Sequence, residues 1–394
     1  MVISSRLLFS LAFFVTVSAA SSIDCPIIGT TFAPADHPSM RIPPASIAAA
    51  VTRTLGLNSV RILTPTPALV RSFLFSNATV FLAVPNYFIH PFASNRTLAL
   101  RWLHVHVLPF YPRSKITMIS VGNDVLSPSL IPFLLPAIRN LHDCLLSLGI
   151  ISIQVSTTFS LANIVTAPFP PSSATFREPL CKFVIGPLLR FLKDTNSSFM
   201  VNIYPYNVYR ANAQIPLGFA LFQEHPFNYR DDIVTGVRYR NLFDMMIDSV
   251  VASMAVIGHQ TIPVIVAETG WPSSSLVIGE GGDANPDLAG IYLRGLIQHL
   301  RSGDGTPLRK EGVAGTFIYE LADENSSATF GKRNWGLLYS NLSKKYEGLD
   351  VVINLGSRPT GKFTNILSVF GIFVSLNLLY SFEASLSALL FTAF

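Results

Sequence analysis

Short apolar runs alternate with longer amphipathic stretches through the middle of this 394-residue chain. The short runs are rich in β-branched residues and are bounded by Gly, Pro, Asn or Ser, which is typical of strands. They lie at Ile27–Phe32, Ser59–Leu63, Thr79–Val84, Ile116–Val121, Ile151–Ser156, Phe199–Ile203, Ile262–Ala267 and Gly315–Tyr319. The stretches between them have helical periodicity and include Ala45–Leu55, Asn95–Leu108, Pro128–Leu148, Leu180–Asp194, Asn241–Ile257 and Pro286–Arg301.

This alternation predicts an α/β fold. Because both faces of the short runs are apolar, we expect parallel strands that are covered by helices. Eight such units match a closed (β/α)₈ barrel, the TIM barrel. A doubly wound open sheet is the alternative, but the sequence Gly29–Pro34 at the first strand is not the G-x-G-x-x-G loop that binds phosphates in that fold.

The start of the chain is typical of a secretory signal. Arg6 precedes an apolar core, Leu7–Val17, and small residues follow up to Ala20. We therefore predict that residues 1–20 are a signal peptide and that the protein is secreted. An uncleaved N-terminal anchor is the alternative, although the apolar core is short for a membrane span of about 20 residues.

The end of the chain predicts a lipid anchor. Gly356 or Ser357 would be the attachment residue, because a polar spacer, Arg358–Asn365, and an apolar tail follow them. This is the order of a glycosylphosphatidylinositol (GPI) signal, in which residues 358–394 are removed. A transmembrane helix is the alternative, and the polar Asn377 and the charged Glu383 within the tail disfavour it. We expect one barrel domain, residues 21–357, at the outer face of the plasma membrane or in the cell wall.

The amino-acid composition limits the classes of molecule that we expect this protein to bind. Hydrophobic residues make up 49% of the chain and charged residues 13%, and the net charge of +5 comes from dispersed basic residues. That pattern excludes nucleic acid as a partner. Cys25, Cys144 and Cys181 allow at most one disulfide, and Cys144 is expected to be a buried thiol. No histidine spacing indicates a metal site, so we predict no bound metal. We also expect a monomer that has no cofactor. Predicted N-glycosylation sites are Asn77, Asn95, Asn196, Asn325 and Asn341.

Carboxylates follow two of the predicted strands directly. Asp124 follows the fourth strand and Glu268 follows the seventh. In a barrel the carboxyl ends of the strands carry the catalytic groups, and a pair of carboxylates is what glycoside hydrolysis requires. Each acid taken alone is equally well explained as a helix cap or a loop salt bridge.

Other residues at the strand ends favour a sugar-binding cleft. Aromatic rings pack against the C–H faces of sugars, and amides and acids bond to their hydroxyls. The predicted substrate-binding residues are Phe32, Asn123, Tyr204, Tyr206, Trp271, Glu320 and Glu324. A core role is the alternative for any one of the tyrosines.

Four motifs resemble a known family. They are Glu268–Ser273 (ETGWPS), Met200–Tyr206 (MVNIYPY), Val121–Val125 (VGNDV) and Asn334–Leu337 (NWGL). Together they resemble the plant endo-β-1,3-glucanases of glycoside hydrolase family 17, many of which carry a secretory signal and a GPI tail. The resemblance implies a retaining (β/α)₈ hydrolase that cuts β-1,3-glucans such as callose without a cofactor, as in the glucan endo-1,3-β-glucosidases. It maps the nucleophile to Glu268 and the general acid/base to Asp124.

The chain departs from the family pattern in the predicted cleft. The family usually has Gly-Asn-Glu where this chain has Gly122-Asn123-Asp124. After the first strand the family usually has Gly-Val-Asn-Tyr-Gly, and Gly29–Ala33 (GTTFA) loses an amide and a hydroxyl of that pattern. After the second strand the family usually has Arg-Leu-Tyr-Asp, and Arg61–Thr64 (RILT) loses a ring and a carboxylate. Two hypotheses follow: a glucanase that is slow because its acid is an aspartate, or a cell-surface protein that binds β-glucan after losing efficient hydrolysis.

Overall fold

The computed structural model describes residues 27–33, 42–277, 279–324 and 332–349. Both predicted end signals, Cys25 and the sequon residue Asn325 lie outside the described residues.

Eight parallel strands close into a barrel, which confirms the predicted fold class. The barrel strands are β1 (Ile27–Phe32), β2 (Ser59–Ile62), β3 (Thr79–Val84), β4 (Lys115–Asn123), β5 (Gln154–Ser160), β6 (Phe199–Asn202), β9 (Val264–Thr269) and β11 (Gly315–Tyr319). Their order around the barrel is β1-β11-β9-β6-β5-β4-β3-β2, so barrel strands that follow one another in the chain are also neighbours in space. Two small antiparallel pairs lie outside it: β7 (Arg230–Asp232) with β8 (Val237–Tyr239), and β10 (Ser274–Ser275) with β12 (Arg333–Asn334).

Helices separate the barrel strands along the chain. They are α1 (Pro44–Ala49), α2 (Pro67–Ser72), α3 (Ile89–Ser94), α4 (Arg96–His106), α5 (Ile131–Ser147), α6 (Leu161–Ile164), α7 (Gly186–Asp194), α8 (Pro205–Ala211), α9 (Leu217–Ala220), α10 (Leu242–Val256) and α11 (Pro286–Ser302). Two of the predicted helices contain π-helical turns, Ala50–Thr54 and Cys181–Ile185. Side chains cap several N-termini: Asn241, for example, accepts a hydrogen bond from the Asp244 N–H at the start of α10.

The core has two parts. The larger part packs the outer face of the barrel against the helices, and Phe32 belongs to it. The smaller part fills the inside of the barrel with Phe81, Met118, Met200, Ile265, Ala267 and Phe317. Above this apolar layer the inward-facing residues are polar, so the carboxyl end of the barrel is the chemically active end.

The fifth strand lies later in the chain than the sequence pattern predicts. The apolar residues Ile150, Ile151 and Ile153 precede it, and β5 itself carries Ser156, Thr158 and Ser160. These small polar side chains repeat every second residue, as expected for one face of a strand. The prediction of Ile151–Ser156 followed apolar content and therefore missed a strand whose one face is polar.

The described residues contain two free thiols, Cys144, which is buried, and Cys181, which is partly exposed. Within the same ranges no helix has the length and apolarity needed to cross a bilayer. Nor do the described His, Cys, Asp and Glu residues form a group of three that could hold a metal ion.

A cavity of about 1040 Å³ lies at the amino end of the barrel. The first residues of β1, β3 and β4 line it, together with Asp244 of α10 and His299 of α11. Burial lowers the pKa of His299, but the hydrogen bond that His299 donates to the Asp244 carboxylate at 2.8 Å and the charge of that carboxylate raise the pKa by more. The net shift is therefore upward.

Candidate active site

Glu268 lies in a fully buried strand and is itself 5% exposed. Its Oε2 accepts a hydrogen bond from the Tyr204 hydroxyl at 2.7 Å. Its Oε1 accepts hydrogen bonds from the Asn123 amide, at 3.2 Å, and from the Arg61 guanidinium, which forms an ion pair with it. Both oxygens are thus held by donors that come from three other strands or strand ends, so the carboxylate is fixed in one orientation.

Arg61 provides the charge that balances Glu268. It is fully buried on β2, and its guanidinium also donates to the Asn123 side-chain oxygen at 3.0 Å. The Phe81 ring lies 5.2 Å from the guanidinium carbon. A buried arginine is rare unless it is paired, and here the pair is with the carboxylate.

Asn123 connects four strands. It is the last residue of β4, and its side-chain oxygen also accepts a hydrogen bond from Asn202 of β6 at 3.2 Å. Since Asn202 lies opposite Glu268 in the β6–β9 register, the three side chains meet at one level of the barrel. Among the residues that the structure describes, the buried Asn202 side-chain oxygen and the buried Arg61 Nε have no hydrogen-bond partner.

The turn after β4 presents Asp124. Gly122 has φ 79° and Asp124 has φ 50°, so both occupy the left-handed region. A Cβ at Gly122 would lie 2.6 Å from the Val125 side chain, which only glycine avoids. Asn86, which lies just after β3, bonds both backbone groups of Asn123: its side-chain oxygen accepts from the N–H at 2.8 Å, and its amide donates to the carbonyl at 3.1 Å.

The Asp124 carboxylate accepts three hydrogen bonds from the last residue of β5 and from the helix α6 that follows it. The Ser160 N–H donates to Oδ1 at 3.0 Å. The Asn163 amide donates to Oδ1 at 3.1 Å and to Oδ2 at 3.0 Å. Asp124 is partly exposed, whereas Glu268 is nearly closed off from solvent.

Three partly exposed rings stand beside Glu268. Tyr204, Tyr319 and Trp335 have ring centroids 5.2–6.4 Å apart in edge-to-face pairs. Burial, followed by the charge and hydrogen bond of Glu268, raises the pKa of Tyr204 well above its usual value. Tyr204 therefore stays protonated and remains a donor to the carboxylate.

Comparison with known proteins assigns the family. Residues 43–351 match the glycosyl hydrolases family 17. The chain belongs to glycosyl hydrolase family 17. It is 37% identical to glucan endo-1,3-beta-glucosidase 2 of Arabidopsis thaliana over 326 residues, which are 81% of this chain and 62% of that protein. It is 35% identical to glucan endo-1,3-beta-glucosidase 7 of the same plant over 337 residues, 82% of this chain and 64% of the relative.

Two solved structures share the family 17 fold with this chain. CJP38, a β-1,3-glucanase and allergen of Cryptomeria japonica pollen, superposes with a TM-score of 0.74 at 31% identity, covering 81% of this chain and 97% of CJP38. One of two plant β-glucan endohydrolases with distinct substrate specificities gives a TM-score of 0.71 at 29% identity, covering 81% and 98%. The chain thus spans less than two thirds of the first two curated relatives but nearly all of these solved domains.

The structure separates the other predicted site residues of this family 17 chain into two groups. Asn123, Tyr204 and Glu320 lie with Glu268 at the carboxyl end of the barrel. Tyr206 and Trp271 are buried behind them, with ring centroids 5.0 Å apart, and the Trp271 Nε1 donates to the Asp283 carbonyl at 2.9 Å. Phe32 is also buried, in the outer core. These three rings are buried and do not face an open cleft.

Glu320 and Glu324 follow β11 and have different surroundings. Glu320 is 7% exposed, and burial together with the nearby Glu324, Asp323 and Glu268 raises its pKa to about 8, against the attraction of Lys332. Glu324 instead forms an ion pair with Lys332. Glu320 is therefore an uncharged acid at neutral pH, and Glu324 is a paired carboxylate.

Sequence reasoning missed several residues at this site, namely Arg61, Asn86, Asn163, Asn202, Tyr319 and Trp335. Arg61 left a readable signal, since it is a charge inside an apolar strand run. Trp335 belongs to a motif that carried the family resemblance. Asn86 and Asn163 left none, because their contacts with residues 123 and 124 span 37 and 39 positions of the sequence.

Proposed function

We propose that this chain hydrolyses internal β-1,3-glucosidic bonds of β-1,3-glucans with retention of configuration. The observation that carries the proposal is the Glu268 carboxylate, held by Arg61, Asn123 and Tyr204 at the carboxyl end of the barrel. A nucleophile must keep one orientation, and the ion pair with the buried Arg61 guanidinium contributes to that restraint. The relatives named as glucan endo-1,3-β-glucosidases and as a β-1,3-glucanase support the substrate class.

The reaction takes two balanced steps. Asp124 donates its proton to the glycosidic oxygen while Glu268 attacks the anomeric carbon, so the leaving chain departs with the proton and a glycosyl ester forms on Glu268. Asp124, now a carboxylate, then takes a proton from water as the water oxygen attacks the same carbon. That attack releases Glu268 and regenerates protonated Asp124. These steps require no metal and no cofactor.

The aromatic group beside Glu268 suits a glucan chain. Tyr204, Tyr319 and Trp335 offer partly exposed ring faces and edges against which the C–H face of a glucosyl ring can pack. Glu320, uncharged at neutral pH, can donate a hydrogen bond to a sugar hydroxyl. Tyr206, Trp271 and Phe32 would act by supporting these groups.

The test is hydrolysis of a linear β-1,3-glucan by the parent chain and by Glu268→Gln. We expect new reducing ends with the β anomer released first from the parent, and a loss of at least about 1,000-fold in Glu268→Gln with glucan binding retained. Glu224→Gln makes the same chemical change at an exposed position and serves as the matched control. Unchanged hydrolysis by Glu268→Gln would remove Glu268 from the mechanism, and initial release of the α anomer would contradict retention.

A cell-surface β-glucan-binding protein is the second candidate function. The observation that favours it is that the chain carries Asp124, an acid shorter by one methylene than the glutamate usual at this place in the family. Under this alternative the parent chain and Glu268→Gln bind the glucan equally and neither cleaves it.

We also propose that the protein is a secreted, glycosylated monomer held at the plasma membrane by a GPI anchor at Gly356 or Ser357. Supporting the glycosylation, four of the sequon asparagines are described and all four are exposed: Asn77, Asn95, Asn196 and Asn341. An oligosaccharyltransferase modifies asparagines that are accessible.

A further inference from the structure

We propose that Asn163 is a positioning residue that holds the Asp124 carboxylate at the place from which it transfers protons. This inference rests on the proposed function, because it assigns a partner to the acid/base of that reaction.

The contact between the two side chains is specific. The Asn163 amide nitrogen lies 3.1 Å from one carboxylate oxygen of Asp124 and 3.0 Å from the other, so it donates hydrogen bonds to both oxygens. Its own element is well anchored, because Leu161 and Ile164 on either side of it in α6 are buried in the core. The Ser160 N–H adds a third hydrogen bond from the same segment. Asp124 is in turn fixed through its backbone N–H, which donates to the Thr158 carbonyl at 2.8 Å.

An aspartate at this position has less reach than a glutamate, by about 1.5 Å. A general acid must come within about 2.6–3.2 Å of the leaving oxygen, and misplacement by about 1 Å can cost roughly 100-fold in rate. A short carboxylate gains most from being held in one orientation, since it cannot adjust its position as a longer side chain can. Asn163 supplies that restraint from α6, the helix that follows the neighbouring strand β5.

An amide also suits both protonation states that the two steps require. Its nitrogen donates to the carboxylate form, and after a half-turn about χ2 its oxygen accepts the proton of the acid form. A leucine of similar size can do neither. An aspartate of the same shape loses the donors and places a second acid within hydrogen-bond distance.

These differences define two variants. Asn163→Leu should lower kcat on a linear β-1,3-glucan by about 10- to 100-fold with KM changed less than about threefold. The same variant should retain most of its rate on an activated aryl glycoside of a β-1,3-linked oligosaccharide, whose leaving group needs little protonation. Asn163→Asp should move the alkaline limb of the kcat profile up by at least about one pH unit, because two adjacent carboxyls hold one proton more tightly. Asn212→Asp, which adds the same charge at an exposed position, is the control for the charge alone.

Asp124→Glu completes a double-mutant cycle. With the longer acid, the carboxylate moves away from the amide, so Asn163→Leu should cost less than about threefold in that background. An equal cost in both backgrounds, an equal loss on both substrates, or an alkaline limb that Asn163→Asp leaves in place would overturn the positioning role. A parent chain without any Glu268-dependent hydrolysis would instead contradict the proposed function, and the role of Asn163 would fall with it. Retained glucan binding shows that each variant is folded.

Discussion

Glu320 shows how the site changes the chemistry of a single residue. Its pKa of about 8 comes first from burial and then from the neighbouring acids Glu324 and Asp323. The unfolded chain releases this proton near pH 4.5, whereas the folded chain retains it to about pH 8. The stability that the raised pKa contributes is therefore complete below about pH 4.5 and is lost as the pH rises through about 8.

This shift predicts a pH-dependent effect of Glu320→Gln. The glutamine keeps the shape and cannot ionise, so the variant should equal the parent in free energy of unfolding at about pH 4.5. At about pH 7.5 it should be more stable by about 4 kcal/mol, since the parent alone must hold a proton that the unfolded chain has released. Urea denaturation at the two pH values measures this, with Glu224→Gln as the exposed control. The same difference at both pH values would show that Glu320 ionises normally.

Some of the residues that form the site could be predicted from the sequence. Glu268, Asp124, Asn123 and Tyr204 each follow an apolar strand, and the barrel geometry brings such positions to one end. Their catalytic and binding roles stay predictions. Asn163 could not be predicted, because its contact depends on how a four-residue helix turns after β5. Trp271 was predicted to bind sugar because the sequence does not show that this side chain is buried.

At the scale of elements, α10 and α11 flank β9 in the chain and are joined by a charged pair. Asp244, in the first turn of α10, bonds both its cap Asn241 and His299 in the last turn of α11. Because Asp244 raises the pKa of His299 above its ordinary value despite burial, this pair stabilises the fold fully below about pH 6.5. That contribution is lost as the pH rises through the folded pKa.

His299→Gln should therefore lose about 1–2 kcal/mol of unfolding free energy at about pH 5.5 and less than half of that at about pH 9. Thermal or urea denaturation across this range would measure it. His104→Gln changes an exposed histidine and should leave stability within about 0.5 kcal/mol at both pH values. A loss that is constant with pH would indicate that His299 acts by packing alone.

Element boundaries differed from the sequence pattern where polarity or backbone geometry overrides it. The strands β1, β3 and β11 have the predicted limits. Strand β5 is displaced, since the residues that face the site are serines and a threonine. The short helices α8 and α9 and the β7–β8 hairpin were not predicted, because segments of three to seven residues have too little periodicity.

At the scale of the whole molecule, the barrel class followed from the alternation alone, since eight apolar strands with intervening helices have few other ways to bury both faces. The proposed anchor adds a prediction at this scale. A phosphatidylinositol-specific phospholipase should release the protein from the plasma-membrane fraction. Protein that stays in that fraction and still carries an epitope from residues 376–394 would establish a transmembrane tail. Replacement of Gly356 and Ser357 by tryptophan should abolish release, because attachment requires small residues.

The Asn86 side chain grips only backbone atoms of residue 123, through one donor and one acceptor, as a neighbouring peptide group would. These two hydrogen bonds hold the turn that carries the acid, and they do not depend on the side chains of residues 123 and 124. At residue 124, an exchange of glutamate for aspartate during evolution therefore alters the chemistry and keeps both backbone hydrogen bonds between residue 123 and Asn86. A single substitution at residue 124 can therefore tune, slow or abolish catalysis while the backbone of the turn stays in place.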